Sequence, residues 1–439
     1  MSRVPEPSVF LVVDEAKRKA RERGVGLIDL SIGSTDLPPP EAPLKALAEA
    51  LNDPTTYGYC LKSCTLPFLE EAARWYEGRY GVGLDPRREA LALIGSQEGL
   101  AHLLLALTEP EDLLLLPEVA YPSYFGAARV ASLRTFLIPL REDGLADLKA
   151  VPEGVWREAK VLLLNYPNNP TGAVADWGYF EEALGLARKH GLWLVHDNPY
   201  VDQVYEGEAP SPLALPGAKE RVVELFSLSK SYNLAGFRLG FALGSEEALA
   251  RLERVKGVID FNQYAGILRM GVEALKTPKE VVRGYARVYR ERALGMAEAL
   301  KGALSLLPPR ATMYLWGRLP EGVDDLEFGL RLVERGVALA PGRGFGPGGK
   351  GFVRIALVRP LEELLEAAKR VRAALDYAPS LLPTLLGGKP LKAAENLPHQ
   401  VEASRQHHPA FPGESLLQGL EGVLHHLGPR EEGKEGPGV

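Results

Sequence analysis

Short apolar runs alternate with stretches of helical period through the middle of the chain. LALIG (91–95) precedes the helical SQEGLAHLLLALTEP, and DLLLLPE (112–118) precedes a turn and a further helical stretch. VLLLNYPNNP (161–170) leads into a helix reaching His190, and LWLVHDNPY (192–200), VVELFSLSK (222–230) and LGFALG (239–244) follow. Apolar runs this short, without alternation, suit strands covered on both faces. Their regular exchange with helices predicts βαβ units around a mostly parallel sheet, an α/β fold. Polar and conformationally special residues gather directly after the runs, in GSQE, PEVAYPSY, NYPNNPTG, HDNPY and SLSKSY. Ligands of such sheets bind outside the carboxyl ends of the strands, so the chemistry is expected there.

Toward the C-terminus the pattern changes. Residues 270–305 carry the period of one long helix with charges on one face. MYLWGRLP, VALAPG and GFVRIALV then read as strands and LEELLEAAKRVRAALDY as a final amphipathic helix. This predicts a smaller α+β domain over 286–377, shared with an N-terminal arm (1–45), beside a large domain over 46–285. Beyond it, residues 378–439 lack periodicity and hold five of the eight histidines, which reads as a disordered, solvated tail without a metal site.

Composition narrows the function classes. A net charge of −6 over 439 residues gives no electrostatic footprint for nucleic acid or an acidic membrane surface. The N-terminus has no apolar signal region and no run is long enough to span a membrane. Cys60 and Cys64 are the two cysteines. Without a second pair their spacing predicts neither zinc nor a disulfide, and so few thiols suit a cytoplasmic protein. GRGFGPGGKG (342–351) satisfies G-x4-G-K, but Gly351 stands where a phosphate loop needs Ser or Thr, and a strand follows. G-x-G-x-x-G after a first strand, H-E-x-x-H and G-x-S-x-G are all absent.

What remains is a lysine at the end of an apolar strand, Lys230 in SLSKSYNLAGFRLG. A strand-end amine forms a Schiff base with an aldehyde, and pyridoxal 5′-phosphate is the common aldehyde cofactor. That cofactor needs a phosphate cradle, an anion at its pyridine nitrogen, donors to its phenolic oxygen and a lid on its ring. Ser96 and Gln97 open a helix directly after a strand, where N–H groups and the dipole favour a dianion. Ser227, Ser229 and Arg238 add donors on the lysine segment. Asp197 ends a strand and suits the pyridine nitrogen. Asn169 and Tyr200 suit the phenolic oxygen, and Tyr121 offers a stacking face. Singly these are ordinary cap, turn and packing residues; together they arrive in order, each after its own strand.

The succession GSQEGL, YPSY, NYPNNPTG, DNPY, SLSKSYNLAGFRLG and GFVRIAL resembles the class I/II aminotransferases of pyridoxal-phosphate fold type I, over roughly residues 5 to 377. The resemblance implies that Lys230 is the aldimine lysine and proton-transfer base. It implies that Asp197 pairs with the pyridine nitrogen, Asn169 and Tyr200 with the phenolic oxygen, and Tyr121 with the ring. Ser96, Gln97, Ser227 and Arg238 match phosphate contacts, and Arg354 matches the arginine that grips the substrate α-carboxylate. Gly33 in LSIGSTDLPPP matches the glycine of the segment closing over substrate. Tyr59 matches a tyrosine lent to a neighbouring subunit, which implies a homodimer. One departure is Cys64, near which many relatives carry glycine. His196 has no role in this pattern, and Trp316 suits either the substrate pocket or the core.

The activity implied is ping-pong exchange of an amino group between an L-amino acid and a 2-oxo acid, with glutamate and 2-oxoglutarate as the exchange pair. LSIGSTDLPPP and DFNQYAGI resemble the diaminopimelate and succinyldiaminopimelate transaminase subgroups of lysine biosynthesis. Alanine or aromatic transamination, a pyridoxal-phosphate C–S β-lyase and a non-catalytic regulator are the alternatives.

Overall fold

A computed structural model of the protein describes residues 3–5 and 8–376; the tail expected over 378–439 lies outside them. A helix (Val9–Glu22) and the two-residue strand β1 (Ile28–Asp29) come first. The central sheet is built from β2 (Ala90–Leu93), β3 (Leu113–Pro117), β4 (Arg134–Ile138), β5 (Ala159–Leu164), β6 (Trp193–Asp197), β7 (Val222–Ser227) and β8 (Gly240–Gly244). Five short strands follow: β9 (Ser305–Leu306), β10 (Tyr314–Arg318), β11 (Val337–Ala338), β12 (Ala340–Pro341) and β13 (Phe352–Ala356).

The seven strands lie in the order β2-β8-β7-β6-β5-β3-β4. All neighbours are parallel except β8, which runs antiparallel to both β7 and β2. Between β7 and β8 the chain makes one short helix (Leu228–Ser231) and a 3-10 turn, with no crossover helix of the length a parallel return needs. β5 shows why these runs read as continuous. Leu162 and Leu164 enter the core beneath helices Lys62–Tyr80 and Trp177–His190. Val161 and Leu163 enter the opposite core, with helices Ser96–Leu107, Pro122–Val130 and Glu246–Ile259. Each such fully buried side chain contributes about 2 kcal/mol.

A second, antiparallel sheet has the order β12-β13-β10-β9, and β1 pairs in parallel with β11. Its core includes Tyr289, Phe328, Leu332, Ile355 and Leu364, beneath helices Lys279–Leu300, Asp325–Glu334 and Leu361–Asp376. No described helix is long and apolar enough to cross a membrane.

Three local expectations change. The single helix over 270–305 is two, Ala265–Leu275 and Lys279–Leu300, divided at Thr277-Pro278. Proline cannot donate to the preceding turn and disfavours helix before it. β4 is an edge strand whose exposed Arg134 and Thr135 hide the apolar signal. Cys60 and Cys64 form a disulfide, against the expectation of free thiols. A turn closed by the Cys64 amide on the Leu61 carbonyl (2.8 Å) brings their Cα atoms to 5.3 Å, within bridging range. Cys64 lies in the first turn of helix Lys62–Tyr80, so the backbone there needs no glycine.

Candidate active site

Lys230 follows β7 directly. The Ser227 hydroxyl caps the helix Leu228–Ser231 by accepting from the Ser229 amide (3.1 Å), and Gln203 donates to the Lys230 carbonyl (3.2 Å). The Lys230 ammonium donates to the Gly33 carbonyl on the N-terminal arm. Burial, reinforced by the charges of Arg354 and Arg238, lowers its pKa to about 7. An amine so depressed is in good part neutral, and nucleophilic, near neutral pH.

On the neighbouring strand, Asp197 is buried at the end of β6. Its Oδ2 accepts from the Tyr124 hydroxyl at 2.6 Å, while Oδ1 has no protein partner. Burial raises the carboxyl pKa to about 6, with the hydrogen bond from Tyr124 pulling the other way. A buried acceptor without a donor is costly unless a ligand supplies one.

After β5 the chain turns through cis Tyr166-Pro167 and cis Asn169-Pro170. Asn165 organises the turn: its Oδ1 accepts from the Asn169 amide (3.0 Å) and its Nδ2 donates to the Asp197 carbonyl (2.8 Å). Asn169 Oδ1 accepts from Arg354 Nη1 at 3.0 Å. Arg354, in the middle of β13, also donates from Nη2 to the Ser31 carbonyl (2.7 Å), and its buried Nε has no partner. The guanidinium lies over the Tyr314 ring (4.3 Å to the centroid) and the Phe345 ring (4.8 Å). Tyr200 and Tyr314 share a hydroxyl contact of 3.1 Å. Gly33 leaves room for that pair: a Cβ there would stand 2.0 Å from the Tyr314 hydroxyl.

The anion cradle stands where β2 passes into helix Ser96–Leu107. Gly95 precedes the helix at φ +83°, and a Cβ on it would meet Arg238 Nη2 at 2.4 Å. Arg238, itself left-handed at φ 53°, thus lays its guanidinium across the helix N-terminus, an arrangement suited to a phosphate. Gln97 Oε1 accepts from the Tyr121 hydroxyl at 3.0 Å.

The structure brings Lys230, Asp197, Asn169, Tyr200, Arg354 and Gly33 into one chain of contacts with Tyr124 and Tyr314, with Ser96 beside Asp197. Tyr59 stands apart from them, 92% exposed on the single chain. Trp316 stacks on Phe352 at 5.2 Å and meets Phe345 edge-on, so it belongs to the core. Tyr124 and Tyr314 were not singled out from the sequence. Tyr124 has a signal, lying three residues after Tyr121 and one helical turn along PSYFGAARV. Tyr314 has none, because its place comes from the pairing of β10 with β13.

An unpaired buried carboxylate oxygen, a bare helix N-terminus under an arginine and a depressed lysine amine are what pyridoxal phosphate requires of a protein, so the residues fit that cofactor. The comparisons agree. The family model Aminotransferase class I and II matches residues 25–371. The chain is 40% identical to the LL-diaminopimelate aminotransferase of Aquifex aeolicus, over 84% of this chain and 97% of that one. It is 42% identical to that of Syntrophobacter fumaroxidans, over 83% and 96%. Among solved structures, a probable N-succinyldiaminopimelate aminotransferase from Thermus thermophilus is 99% identical, with a TM-score of 0.83 over 84% of this chain and all of that one. A single mutant of Thermus thermophilus aspartate aminotransferase, 27% identical, superposes with a TM-score of 0.78 over 84% of this chain and 97% of its own. The chain therefore belongs to the class I and II aminotransferases and is a pyridoxal-phosphate-dependent transaminase.

Proposed function

We propose that this transaminase moves the amino group of LL-diaminopimelate to 2-oxoglutarate, yielding glutamate, in two half-reactions. When bound, pyridoxal phosphate supplies the carbonyl that accepts the amino group and the ring that withdraws electrons from the substrate Cα. Lys230 Nζ carries the cofactor at rest and, once displaced, takes the proton from the substrate Cα. Asp197 Oδ1 holds the proton of the ring nitrogen in place. Asn169 through its Nδ2 and Tyr200 through its hydroxyl would hold the phenolic oxygen, and Tyr121 would pack on the ring. The Ser96 and Gln97 amides, Ser227, Ser229 and Arg238 hold the phosphate. Arg354 exchanges the Ser31 carbonyl for the substrate α-carboxylate, gripped as a bidentate pair. The arm around Gly33 then excludes water.

The observation that supports these roles is the run of bonds that joins Arg354 to Asp197 through Asn169 and Asn165, beside a Lys230 held on Gly33, with Asp197 Oδ1 and Arg354 Nε both unpartnered. The choice of donor is supported by the similarity to LL-diaminopimelate aminotransferases at 40% and 42% identity. N-succinyl-LL-diaminopimelate is a second reading, supported by the description of the 99% identical structure. Both donors offer the same L-α-amino carboxylate to Arg354.

The test is the visible absorption of the holoenzyme, followed as each candidate donor is mixed in. LL-diaminopimelate is expected to discharge the band at least about tenfold faster than L-alanine or L-phenylalanine. Equal rates for all would overturn the assignment of substrate, and a faster reaction with the succinyl compound would move it to the second reading.

A homodimer belongs to the same proposal. Leu51, Tyr57, Tyr59 and Leu61 are exposed apolar side chains on a segment held against residues 253–269 by Lys62–Glu253, Arg269–Asp53 and the Asn262 bond to the Cys60 carbonyl. Val258 and Ile259, also exposed, extend that surface. An apolar face of this kind, carrying a tyrosine of the family's phosphate site, suits a second copy of the chain. Sedimentation of a Tyr57→Asp variant as a monomer with weakened cofactor binding is the expected result.

A further inference from the structure

His196 stands beside Asp197 and has no part in the reaction proposed above. Its side chain enters the opposite face of the sheet, level with Leu164 on β5 and Glu224 on β7. It is fully buried and meets Phe180 edge-on at 4.8 Å between ring centroids. Nδ1 lies 2.7 Å from Glu224 Oε1. The other carboxylate oxygen accepts from the Ser211 hydroxyl, which is bonded in turn to the Tyr76 hydroxyl. Burial and the nearby carboxylate push the Tyr76 phenol far up, so it remains a donor. The bonds therefore run one way, from Tyr76 to Ser211 to Glu224. With Glu224 Oε2 accepting from Ser211 and Oε1 facing the ring, Nδ1 is the donor of the His196–Glu224 pair. Nε2 faces the main chain of Tyr166, whose amide donates to it at 3.1 Å and whose carbonyl lies at 3.0 Å.

Tyr166 opens the turn that carries Asn169. That turn is fastened to β6 at two successive residues. The His196 ring takes the Tyr166 amide, and the Asp197 carbonyl takes Asn165 Nδ2, whose own Oδ1 holds the Asn169 amide. The spacing from Asp197 to Asn169 is thus held twice, by Asn165 within the turn and, from the far side of the sheet, by an imidazole braced on Glu224.

We propose that His196 is a positioning residue for amino transfer: it fixes the separation of Asp197 and Asn169, and with it the seating of the cofactor ring between them. That role rests on the proposed assignment of Asp197 and Asn169 as ring partners.

The test uses the holoenzyme with His196→Asn and His196→Gln. Asparagine keeps a donor where Nδ1 faces Glu224 and loses the acceptor facing Tyr166. Glutamine brings its amide oxygen to the Nε2 position and gives up the donor. H196N is expected to shift the pH midpoint of the bound cofactor's visible absorption by about half a unit or more. It should also raise the KM for the amino donor about tenfold through the Arg354–Asn169 contact. H196Q should return both toward the parent values, whatever each variant does to the unfolding temperature. A histidine that served only core stability would lower the unfolding temperature of both variants and leave the absorption midpoint alone, and that result would overturn the proposal. So would equal shifts in the two variants. Should H196N not fold, His196→Ala takes its place beside H196Q: a midpoint and KM shifted in H196A and restored in H196Q support the role, and parent values in both overturn it. Asp197→Ala is the control for the ring partners. If it leaves cofactor retention unchanged, the assignment of Asp197 fails, a result distinct from a silent H196N.

Discussion

Asp197, Asn169 and Lys230 leave the ends of three neighbouring strands, whereas Ser31, Gly33 and Asp36 lie on an arm that meets the site through its carbonyls and is clamped by Arg292 at Asp36. On the sheet side the polar groups are braced by buried neighbours: Tyr124 on Asp197, Asn165 on Asn169, Gln203 on the Lys230 carbonyl. On the arm side, the carbonyls of Ser31 and Gly33 accept from Arg354 and Lys230, and Arg292 clamps Asp36 through two bonds of 2.8 and 2.9 Å. The electrostatic strain sits in the sheet, in an amine brought down to about 7 and a carboxyl raised to about 6. A site divided in this way keeps its reactive groups fixed and leaves the exchange of partners to the side that is held by carbonyls.

Substitutions on the two sides should therefore fail differently. Lys230→Ala removes the amine itself, and turnover is expected to fall about 10⁴-fold or more while the cofactor is still retained; product formation and absorption of the purified variant measure the two. Turnover near the parent rate would break the sheet side of the comparison outright. Arg354→Lys trades a bidentate fork for a point charge, so the KM for the amino donor should rise about a hundredfold, with kcat much less affected. Arg292→Ala frees Asp36 and loosens the arm. A several-fold rise in KM is expected, with about 1–2 kcal/mol lost from unfolding in urea, because a partly buried ion pair is opened. An unchanged KM there would mean that the clamp is structural alone.

The remaining effect is one of stability, in the protein freed of cofactor. With its pKa raised to about 6, the folded Asp197 holds a proton at acidities where the unfolded chain has released it. Stability therefore falls as pH rises from about 4 to 6 and stays lower above that. Asp197→Asn removes this term, so the apoprotein should gain about 3 kcal/mol at pH 8 and little near pH 4, even as catalysis is lost. Thermal unfolding at the two pH values checks the sign. A loss of stability at pH 8 would show that the sheet side is not strained as described.

The sheet side was also the side that could be read in advance. Its strands are local apolar runs, and Lys230, Asp197 and Asn169 follow them within a few residues, so sequence order stands in for spatial order. β4 escaped because its first two positions are polar and exposed, and the break at Pro278 was lost inside a continuous helical period. Arg354 was recovered through the resemblance to a family. Tyr314, packed between Arg354, Tyr200 and Gly33, was not, since its neighbours come from the register of β10 on β13 and from an arm some 280 residues earlier. His196 was noticed without a role for the same reason: Glu224, Ser211 and Tyr76 come together only when the sheet is assembled. Two cysteines without a second pair predict no disulfide, whereas a single turn at the start of helix Lys62–Tyr80 is enough to close one.

The amide of Asn169 has its oxygen on Arg354, and its nitrogen is the group proposed above to meet the cofactor. One small planar group is thus shared by two binding events, and by linkage neither can occur without changing the other's equilibrium. An inert dicarboxylate that never reacts should still perturb the colour of the bound cofactor. Reciprocally, the cofactor's protonation should alter how tightly that dicarboxylate is held, by the same factor.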